Sequence, residues 1–269
     1  MIDGALPYLR CPVCGQRLDR ADDQALRCRQ GHSFDIARQG YVNLTAGRSP
    51  HPGDSAEMIA DRSTFLAEGH YDFIARALAE TARADDGLVL DAGTGTGDYL
   101  ARVLDALPAA TGLGIDVSKP ALRRAARAHP RAGAALADLW RPLPLADASV
   151  AVLLNVFAPR NGPEFHRVLR PDGMLLVVTP AQDHLKELVE THGLIRVDPD
   201  KADRVAETLG SAWKAEATAS HRRTLHLTAE AARTLIGMTP SARHVPPAEI
   251  RAADIAATAA IDLTVYRPA

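Results

Sequence analysis

The sequence contains 269 residues, of which 46% are hydrophobic and 24% are charged, and this length accommodates one large domain and a small one. No apolar run reaches the roughly 18–20 residues that a membrane helix needs, and the N-terminus carries no secretory signal. We therefore expect a cytoplasmic protein that does not contact a membrane. The formal net charge of −2 argues against a general nucleic-acid coat, although a local basic patch is compatible with a specific RNA contact.

The N-terminal segment contains all three cysteines and one histidine at metal-ligand spacing. Cys11 and Cys14 are separated by two residues, and thirteen residues later Cys28 and His32 are separated by three. Two such pairs, each within one turn, suit a tetrahedral Zn²⁺ ion and leave no position for a catalytic water. An odd number of cysteines disfavours a disulfide framework, and the alternative is three buried cysteines beside an unrelated histidine. The spacing predicts a structural Cys3His zinc site in a module of residues 1–46.

Arginines surround these four ligands. They are Arg10, Arg17, Arg20, Arg27, Arg29 and Arg38. Because three thiolates leave the zinc site negatively charged, any attraction of this module for RNA must come from the arginines. Solvated surface arginines are equally compatible with the pattern, and both interpretations stay open.

A linker and a helix are predicted over residues 47–70. Gly47, Pro50, Pro52 and Gly53 indicate the linker. The sequence Asp54-Ser55-Ala56-Glu57 then has the form of a capping box with Asp54 as N-cap, and the helix is predicted to end at Gly69. Residues 71–269 form the second predicted domain.

This second domain contains a strand, a glycine loop and a helix in succession. The apolar strand Gly87–Ala92 includes Asp91, and helical spacing begins at Asp98. The loop between them consists of Gly93, Thr94, Gly95, Thr96 and Gly97. The next strand, Gly112–Val117, contains Asp116, which is placed to accept hydrogen bonds from ribose hydroxyls. This succession is typical of a nucleotide-binding βαβ unit.

The glycine spacing favours S-adenosylmethionine (SAM) over a dinucleotide. In a dinucleotide fingerprint the third glycine falls at position 98, where the carboxylate of Asp98 would repel the pyrophosphate. SAM has no phosphate, and nearby carboxylates attract its sulfonium and ammonium groups. The pattern Asp91-x-Gly93-x-Gly95-x-Gly97 resembles the first motif of SAM-dependent methyltransferases. We therefore predict that SAM binds across this loop with Asp116 at its ribose.

The remaining pattern fits a seven-stranded, doubly wound α/β sheet. A strand at Ala134–Ala137 precedes Asp138, which is placed to contact the adenine amine in related enzymes. The run Val150–Phe157 is typical of a strand buried on both faces, and Pro171-Asp172-Gly173 turns into a strand at Met174–Thr179. Late strands are predicted at Leu225–Leu227 and Ile261–Tyr266. Helices are predicted near Pro120–His129, Asp183–His192 and Ala229–Ile236.

Several motifs together resemble one methyltransferase family. Besides the zinc module, they are Gly40-Tyr41-Val42-Asn43-Leu44, Pro52-Gly53-Asp54-Ser55-Ala56-Glu57-Met58, Gly69-His70-Tyr71, Gly114-Ile115-Asp116-Val117-Ser118-Lys119, Ala158-Pro159 and Met238-Thr239-Pro240. In this order, and over nearly the whole chain, they resemble the 23S ribosomal RNA (guanine-N1)-methyltransferases of the RlmA type. That family includes macrolide-resistance enzymes of antibiotic-producing bacteria.

The resemblance implies a Rossmann-like SAM-dependent methyltransferase domain behind a zinc domain that recognises an rRNA hairpin. It implies methylation of N1 of a guanosine in a 23S rRNA hairpin that lines the peptide exit tunnel, and it makes a homodimer plausible. It also implies that Tyr71 and His184 contact the cofactor together with Gly95 and Thr96.

The loop after the fourth strand faces the methyl acceptor in this fold, so we expect Asn155, Phe157 and Arg160 to line the substrate pocket. Phe157 can stack on a flipped base and Asn155 can bond its edge. Alternatively, Phe157 lies in the core and Arg160 is a solvated cation. Arg160 stands where family members often carry a cysteine, which puts the acceptor in question. The sequence identifies no general base.

Two other functions remain compatible with the sequence. One is a small-molecule methyltransferase that retains a zinc module, which the near-neutral charge and Arg160 slightly favour. The other is a noncatalytic RNA-binding protein, against which the intact glycine loop argues.

Overall fold

A computed structural model describes residues 2–47, 53–243, 250 and 253–269 of the chain. Pro50 and Pro52 of the predicted linker lie outside the described residues. Among the described helices, none combines the length and the apolar composition that crossing a bilayer requires.

The N-terminal part is a small antiparallel sheet preceded by short helices. It contains helix α1 (Ile2–Ala5), a 3-10 helix (Leu6–Tyr8) and strands β1 (Leu18–Asp22), β2 (Ala25–Cys28) and β3 (Ser33–Asp35), in the spatial order β1-β2-β3. Strand β4 (Val42–Asn43) lies outside the ladder of this small sheet, although an isolated bridge between Val42 and Ile36 connects it to the end of β3. It pairs in parallel with the edge of the central sheet, with Val42 opposite Ala135, because fully buried Val42 completes the core there.

The central sheet has eight strands in the order β10-β11-β9-β8-β5-β6-β7-β4. These are β5 (Gly87–Ala92), β6 (Ala110–Asp116), β7 (Ala132–Leu136), β8 (Val150–Val156), β9 (Leu169–Pro180), β10 (Trp213–Leu227), β11 (Ile255–Pro268) and β4. All neighbours from β9 to β4 pair in parallel, and β11 pairs antiparallel with β9 and β10. The predicted doubly wound sheet of seven strands is therefore confirmed, and β4 adds an eighth.

Helices cover both faces of the sheet. They are α2 (Ala56–Ala67), α3 (Asp72–Thr81), α4 (Asp98–Ala106), α5 (Lys119–Ala125), α6 (Gly162–Val168), α7 (Lys186–His192), α8 (Lys201–Leu209) and α9 (Ala229–Gly237). Strand β5 shows why the sheet is buried on both faces. Leu88 and Leu90 pack into one core cluster and Val89 into the other, because successive side chains point to opposite faces.

The zinc module shares one of these core clusters. Leu18, Leu26 and Cys28 belong to the same buried cluster as Leu88 and Leu90 of β5. The backbone adds a direct connection, since the Arg10 amide donates to the Pro144 carbonyl at 2.9 Å. The N-terminal module therefore folds onto the central sheet.

Several predicted boundaries differ from the structure. Ser55, not Asp54, caps α2, because its hydroxyl accepts from the Met58 amide at 3.2 Å while the Asp54 carboxylate pairs with Arg62. Helix α5 ends at Ala125 and α7 begins at Lys186. The predicted turn at residues 171–173 is a bulge within β9, which is paired with β8 on both sides of it. The two late strands are much longer than predicted.

Candidate functional site

The four predicted zinc ligands converge at one point. Their ligand atoms all lie within 4.8 Å of one another. Cys14 Sγ lies 3.7 Å from Cys28 Sγ, and His32 Nδ1 lies 3.6 Å from Cys11 Sγ and 3.3 Å from Cys28 Sγ. A tetrahedral site with Zn–S of about 2.3 Å and Zn–N of about 2.0 Å requires edges of roughly 3.5–3.8 Å. The residues fit a closed zinc site with His32 bound through Nδ1.

Two glycine turns hold these ligands. The Gly15 amide donates to the Cys11 carbonyl at 2.8 Å, and the Gly31 amide donates to the Cys28 carbonyl at 2.9 Å. Gly15 and Gly31 have φ of 72° and 85°, which side-chain-bearing residues rarely adopt. Burial acts to raise the pKa of Cys28, but hydrogen bonds from the backbone of Gln30 and His32 and from the side chains of Cys14 and His32 together lower the pKa to about 6. This favours the thiolate that binds zinc.

The module's arginines differ in their surroundings. Arg20 binds the Asp3 carboxylate through two nitrogens at 2.5 and 2.9 Å, so an intramolecular ion pair occupies it. Arg27 and Arg29 are exposed on and directly after β2. Of these three, Arg27 and Arg29 are the better candidates for contact with RNA.

The glycine loop lies at the carboxyl ends of β5 and β6, next to the point where the strand order reverses between β5 and β8. Its first two amides, of Gly93 and Thr94, donate to the Ile115 carbonyl at 2.9 and 3.0 Å. The three loop glycines all have positive φ. A Cβ on Gly93 would overlap the Cβ of Ala158, so a bare backbone is required there.

Asp116 binds the loop through both carboxylate oxygens. Its Oδ2 accepts from the Gly95 amide at 2.9 Å, and its Oδ1 accepts from the Ser118 amide at 2.8 Å. The Ser118 hydroxyl donates to the Asp54 carbonyl at 2.8 Å, which brings the end of the linker to this acid. The Gly53 position is close-packed, since a Cβ there would lie 2.7 Å from Ser118 Cα. The predicted ribose-binding acid is therefore held rigidly beside the loop.

The charge of this cleft suits a cationic cofactor. Asp91 is fully buried, and burial raises its pKa to about 7, with the negative charges of Asp116 and Asp98 adding to the effect and a 2.7 Å hydrogen bond from Thr94 opposing it. Burial also raises the pKa of Asp116. A ligand with sulfonium and ammonium groups relieves the repulsion among these carboxylates. The glycine loop and the carboxylates beside it therefore fit SAM and do not fit a pyrophosphate.

Tyr71 and His184 meet on the α3 side of the sheet. Tyr71 Oη lies 3.4 Å from His184 Nε2, and the Tyr71 ring packs edge-on against Phe65 with centroids 5.1 Å apart. Burial lowers the pKa of His184 to about 4, so its imidazole is neutral at physiological pH. Phe157 continues this aromatic row, with its ring centroid 6.0 Å from that of His184.

The three acceptor-pocket candidates occupy different environments. Phe157 is 42% exposed and has a φ of 53°, which is rare for a bulky residue. Asn155 is fully buried, and its Nδ2 donates to the carbonyls of Ala92 and Pro159 at 3.2 and 2.9 Å. Arg160 is buried near Tyr266, on the face that carries the zinc module. The structure brings Phe157 close to His184, and it makes neither Asn155 nor Arg160 an exposed lining residue.

Two residues near the cleft have no sequence motif of their own. Arg62 Nη1 pairs with the Asp54 carboxylate at 2.8 Å, and Arg62 Nη2 donates to the Met238 carbonyl at 3.1 Å. The same guanidinium lies against Gly95, where an added Cβ would be 3.2 Å from Nη1. Trp140 is 52% exposed two residues after Asp138, whose carboxylate accepts from the Trp140 amide at 3.0 Å. An arginine within a helix and a single tryptophan match no sequence motif, so the sequence does not predict these contacts.

Comparison with known proteins gives two family matches. Residues 9–46 match the family described as "RlmA, N-terminal", a zinc ribbon, and residues 89–173 match "Methyltransferase domain". Among solved structures, the YcgJ protein of Bacillus subtilis superposes with a TM-score of 0.50 at 17% identity, over 72% of this chain and 98% of that one. This likeness shows the fold.

Full-length relatives are much more similar in sequence. A Micromonospora griseorubida protein named "Putative 23S rRNA (guanine-N(1)-)-methyltransferase" is 59% identical over 98% of both chains. The Streptomyces fradiae "23S rRNA (guanine(748)-N(1))-methyltransferase" is 48% identical over 97% of both chains.

Proposed function

The chain belongs to the 23S rRNA (guanine-N1)-methyltransferase family, and we propose that it methylates N1 of a guanosine in a 23S rRNA hairpin. The observation that carries this proposal is the 59% identity over 98% of both chains with a relative named for this activity. The convergent zinc ligands and the acid-lined glycine loop support it, because each half of the family's architecture is intact.

When bound, SAM supplies an electrophilic methyl group, and the chain's own residues position it for in-line attack. The backbone of Gly93–Gly97 supports the cofactor, and Asp116 holds its ribose while fixing the Gly95 amide. Asp138 would contact the adenine, and Tyr71 and His184, whose Oη and Nε2 lie 3.4 Å apart, would also contact the cofactor. Neutral His184 adds no positive charge that would repel a sulfonium.

The acceptor guanine lies against Phe157 in this proposal. The left-handed backbone conformation of Phe157 exposes its ring at the end of β8, where a flipped base can stack on it. Buried Asn155 acts by fixing this loop, through its bonds to Ala92 and Pro159. Arg160 gives no support to a small-molecule acceptor, because it lies buried beside Tyr266.

Finer assignments accompany this function. We propose position 748 as the target, because the relative from Streptomyces fradiae is named for it. Methylation in the exit tunnel would reduce macrolide binding, and a ribosomal substrate supports a cytoplasmic location for the enzyme. We also propose a zinc module of residues 1–46, a linker and helix of 47–70, a catalytic domain of 71–269, and a homodimer.

The test uses SAM with a tritiated methyl group and deproteinised 23S rRNA from cells that lack such an enzyme. We expect counts in RNA and a primer-extension stop at guanosine 748. The matched control is Asp116→Ala, which should lose most counts. Tight SAM binding without counts in RNA would refute the claim that rRNA is the substrate and would favour a small molecule. No SAM binding would refute the claim that the protein is a methyltransferase. Sedimentation equilibrium tests the dimer, and macrolide susceptibility of an expressing host tests resistance.

A further inference from the structure

A single segment, residues 138–147, connects the cofactor cleft with the zinc module, and its residues 140–142 and 147 are exposed. At one end it carries Asp138 and Trp140, and Leu139 lies 3.8 Å from the position of a Cβ on Gly93. At the other end, Pro142–Asp147 lines a groove of about 550 Å³ together with Arg10 and Val13 of the first zinc turn. The segment therefore follows the surface from the metal centre to the glycine loop.

This segment is anchored along its length. The Arg10 amide donates to Pro144 O and the Ala146 amide donates to Tyr8 O, both at 2.9 Å. Arg167 donates to the carbonyls of Leu143 and Leu145, also at 2.9 Å. The Asn161 side chain donates to Leu139 O at 2.8 Å, which connects the segment to the loop that carries Phe157. A surface fixed in this way loses little conformational entropy on binding.

Large apolar side chains are exposed along the same path. Among the described residues, four large hydrophobic side chains are exposed, and three of them lie here: Val13 at 57%, Trp140 at 52% and Phe157 at 42%. The fourth, Ile195, lies in the segment after α7. An exposed indole beside a cleft is suited to binding, because tryptophan offers a large apolar face and is enriched at interfaces.

Cations accompany these side chains at the zinc end. Arg10 lines the groove, and its backbone forms an isolated bridge with that of Arg17. Arg10 Nη1 donates to the Leu9 carbonyl at 2.7 Å, and the groove also contains the carboxylate of Asp147, so Arg10 and Arg17 supply positive charge here beside one acid. Aromatic faces alternating with arginines are the usual means of holding single-stranded RNA.

We propose that Trp140 is a stacking platform for a nucleotide neighbouring the target guanosine, on an RNA strand that follows residues 138–147 from the zinc module to Phe157. The inference rests on the proposed function and extends it to a residue of the RNA path. Phe157 holds the flipped guanine, Trp140 holds the adjacent base, and Arg10 contacts a phosphate. An RNA strand fits this segment because its flat bases can stack on the aromatic rings and its negatively charged backbone can bind Arg10.

The first experiment uses Trp140 as its own reporter. The sequence has two tryptophans, and the second, Trp213, is 8% exposed and donates through Nε1 to Gly162 O at 3.2 Å. Trp213→Phe leaves Trp140 as the single indole fluorophore. In protein saturated with S-adenosylhomocysteine, we expect a synthetic 23S hairpin containing the target guanosine to quench its emission. A hairpin that binds without changing the emission would overturn the inference.

The second experiment measures KM and kcat for hairpin methylation, and needs no change at Trp213. Trp140→Ala should raise the KM or Kd for the hairpin about 5- to 150-fold, the range for one lost base stack, with SAM affinity unchanged. Trp140→Phe should recover most of the loss, because a smaller ring still stacks. Ile195→Ala, a matched loss of an exposed apolar side chain, should have no effect.

The outcomes separate the inference from the function on which it rests. If wild-type protein methylates the hairpin and Trp140→Ala does so with unchanged KM, the stacking role is wrong and the proposed function stands. If Trp140→Ala weakens SAM and hairpin equally, Trp140 belongs to the cofactor site, and the inference is wrong. If wild-type protein methylates neither the hairpin nor deproteinised 23S rRNA, the proposed function fails and the inference fails with it.

Discussion

Replacing Asp116 by alanine tests the cofactor site at the residue that organises it. The substitution removes an acceptor for the ribose and also the two oxygens that hold the amides of Gly95 and Ser118 at 2.9 and 2.8 Å. A hydrogen bond to a charged group contributes about 1.5–3 kcal/mol. Loss of the ribose contact alone should therefore raise the Kd for SAM about 10- to 150-fold. The released loop moves the result toward the upper end of that range.

Isothermal titration calorimetry at pH 7.5 measures this effect directly. Asp116→Asn keeps one acceptor oxygen of the same size, so we expect an affinity between those of wild type and Asp116→Ala. Asp172→Ala, which changes an exposed acid in the bulge of β9, is the matched control and should bind SAM normally. Unchanged affinity in Asp116→Ala would refute the assignment of the cleft, and NADH binding to the wild type would revive the dinucleotide alternative.

Three further variants have definite expected outcomes. Gly93→Ala should weaken SAM more than tenfold and lower Tm, because φ is 84° and the new Cβ overlaps Ala158; calorimetry showing normal binding would contradict this. The double substitution Cys11→Ser/Cys14→Ser should reduce zinc from about one equivalent to none in metal analysis, with full retention contradicting the site. His184→Gln should flatten the acid limb of stability. The pKa of His184 is about 4 in the folded protein and 6.5 in the unfolded chain. The free energy of unfolding of the wild type should therefore fall by about 2 kcal/mol from pH 7.5 to pH 5, which urea unfolding measures.

Local patterns account for what the sequence predicted well. The zinc turns and the glycine loop are each specified within a few consecutive residues, since Gly15, Gly31 and Gly93 adopt the positive φ that their positions require. A continuous apolar run likewise predicted β8, because a strand buried on both faces needs apolar side chains at successive positions, and Asn155 is its one polar member. Such features need no knowledge of distant contacts.

Side-chain and backbone pairing accounts for what the sequence did not predict. Asp54 and Ser55 are both good helix caps, and the choice depends on Arg62, which attracts the Asp54 carboxylate. Strand β10 is exposed over most of its 15 residues, so no alternation of apolar and polar residues indicates it. It forms because its backbone pairs with β11 along its whole length.

The end of β8 shows how packing creates a functional surface at a local energetic cost. A bulky residue with φ of 53° costs on the order of 1–3 kcal/mol, and the surrounding contacts must hold Phe157 in place. Three of them do so: the Phe157 amide donates to Val178 O at 3.1 Å, Asn155 Nδ2 donates to Pro159 O at 2.9 Å, and Ala158 fills the space left by Gly93. The glycine that brings the backbone close to the cofactor is thus also the one that seats the loop displaying Phe157. Changes at Gly93 or Asn155 should therefore affect the acceptor as well as the cofactor, because one set of contacts positions both.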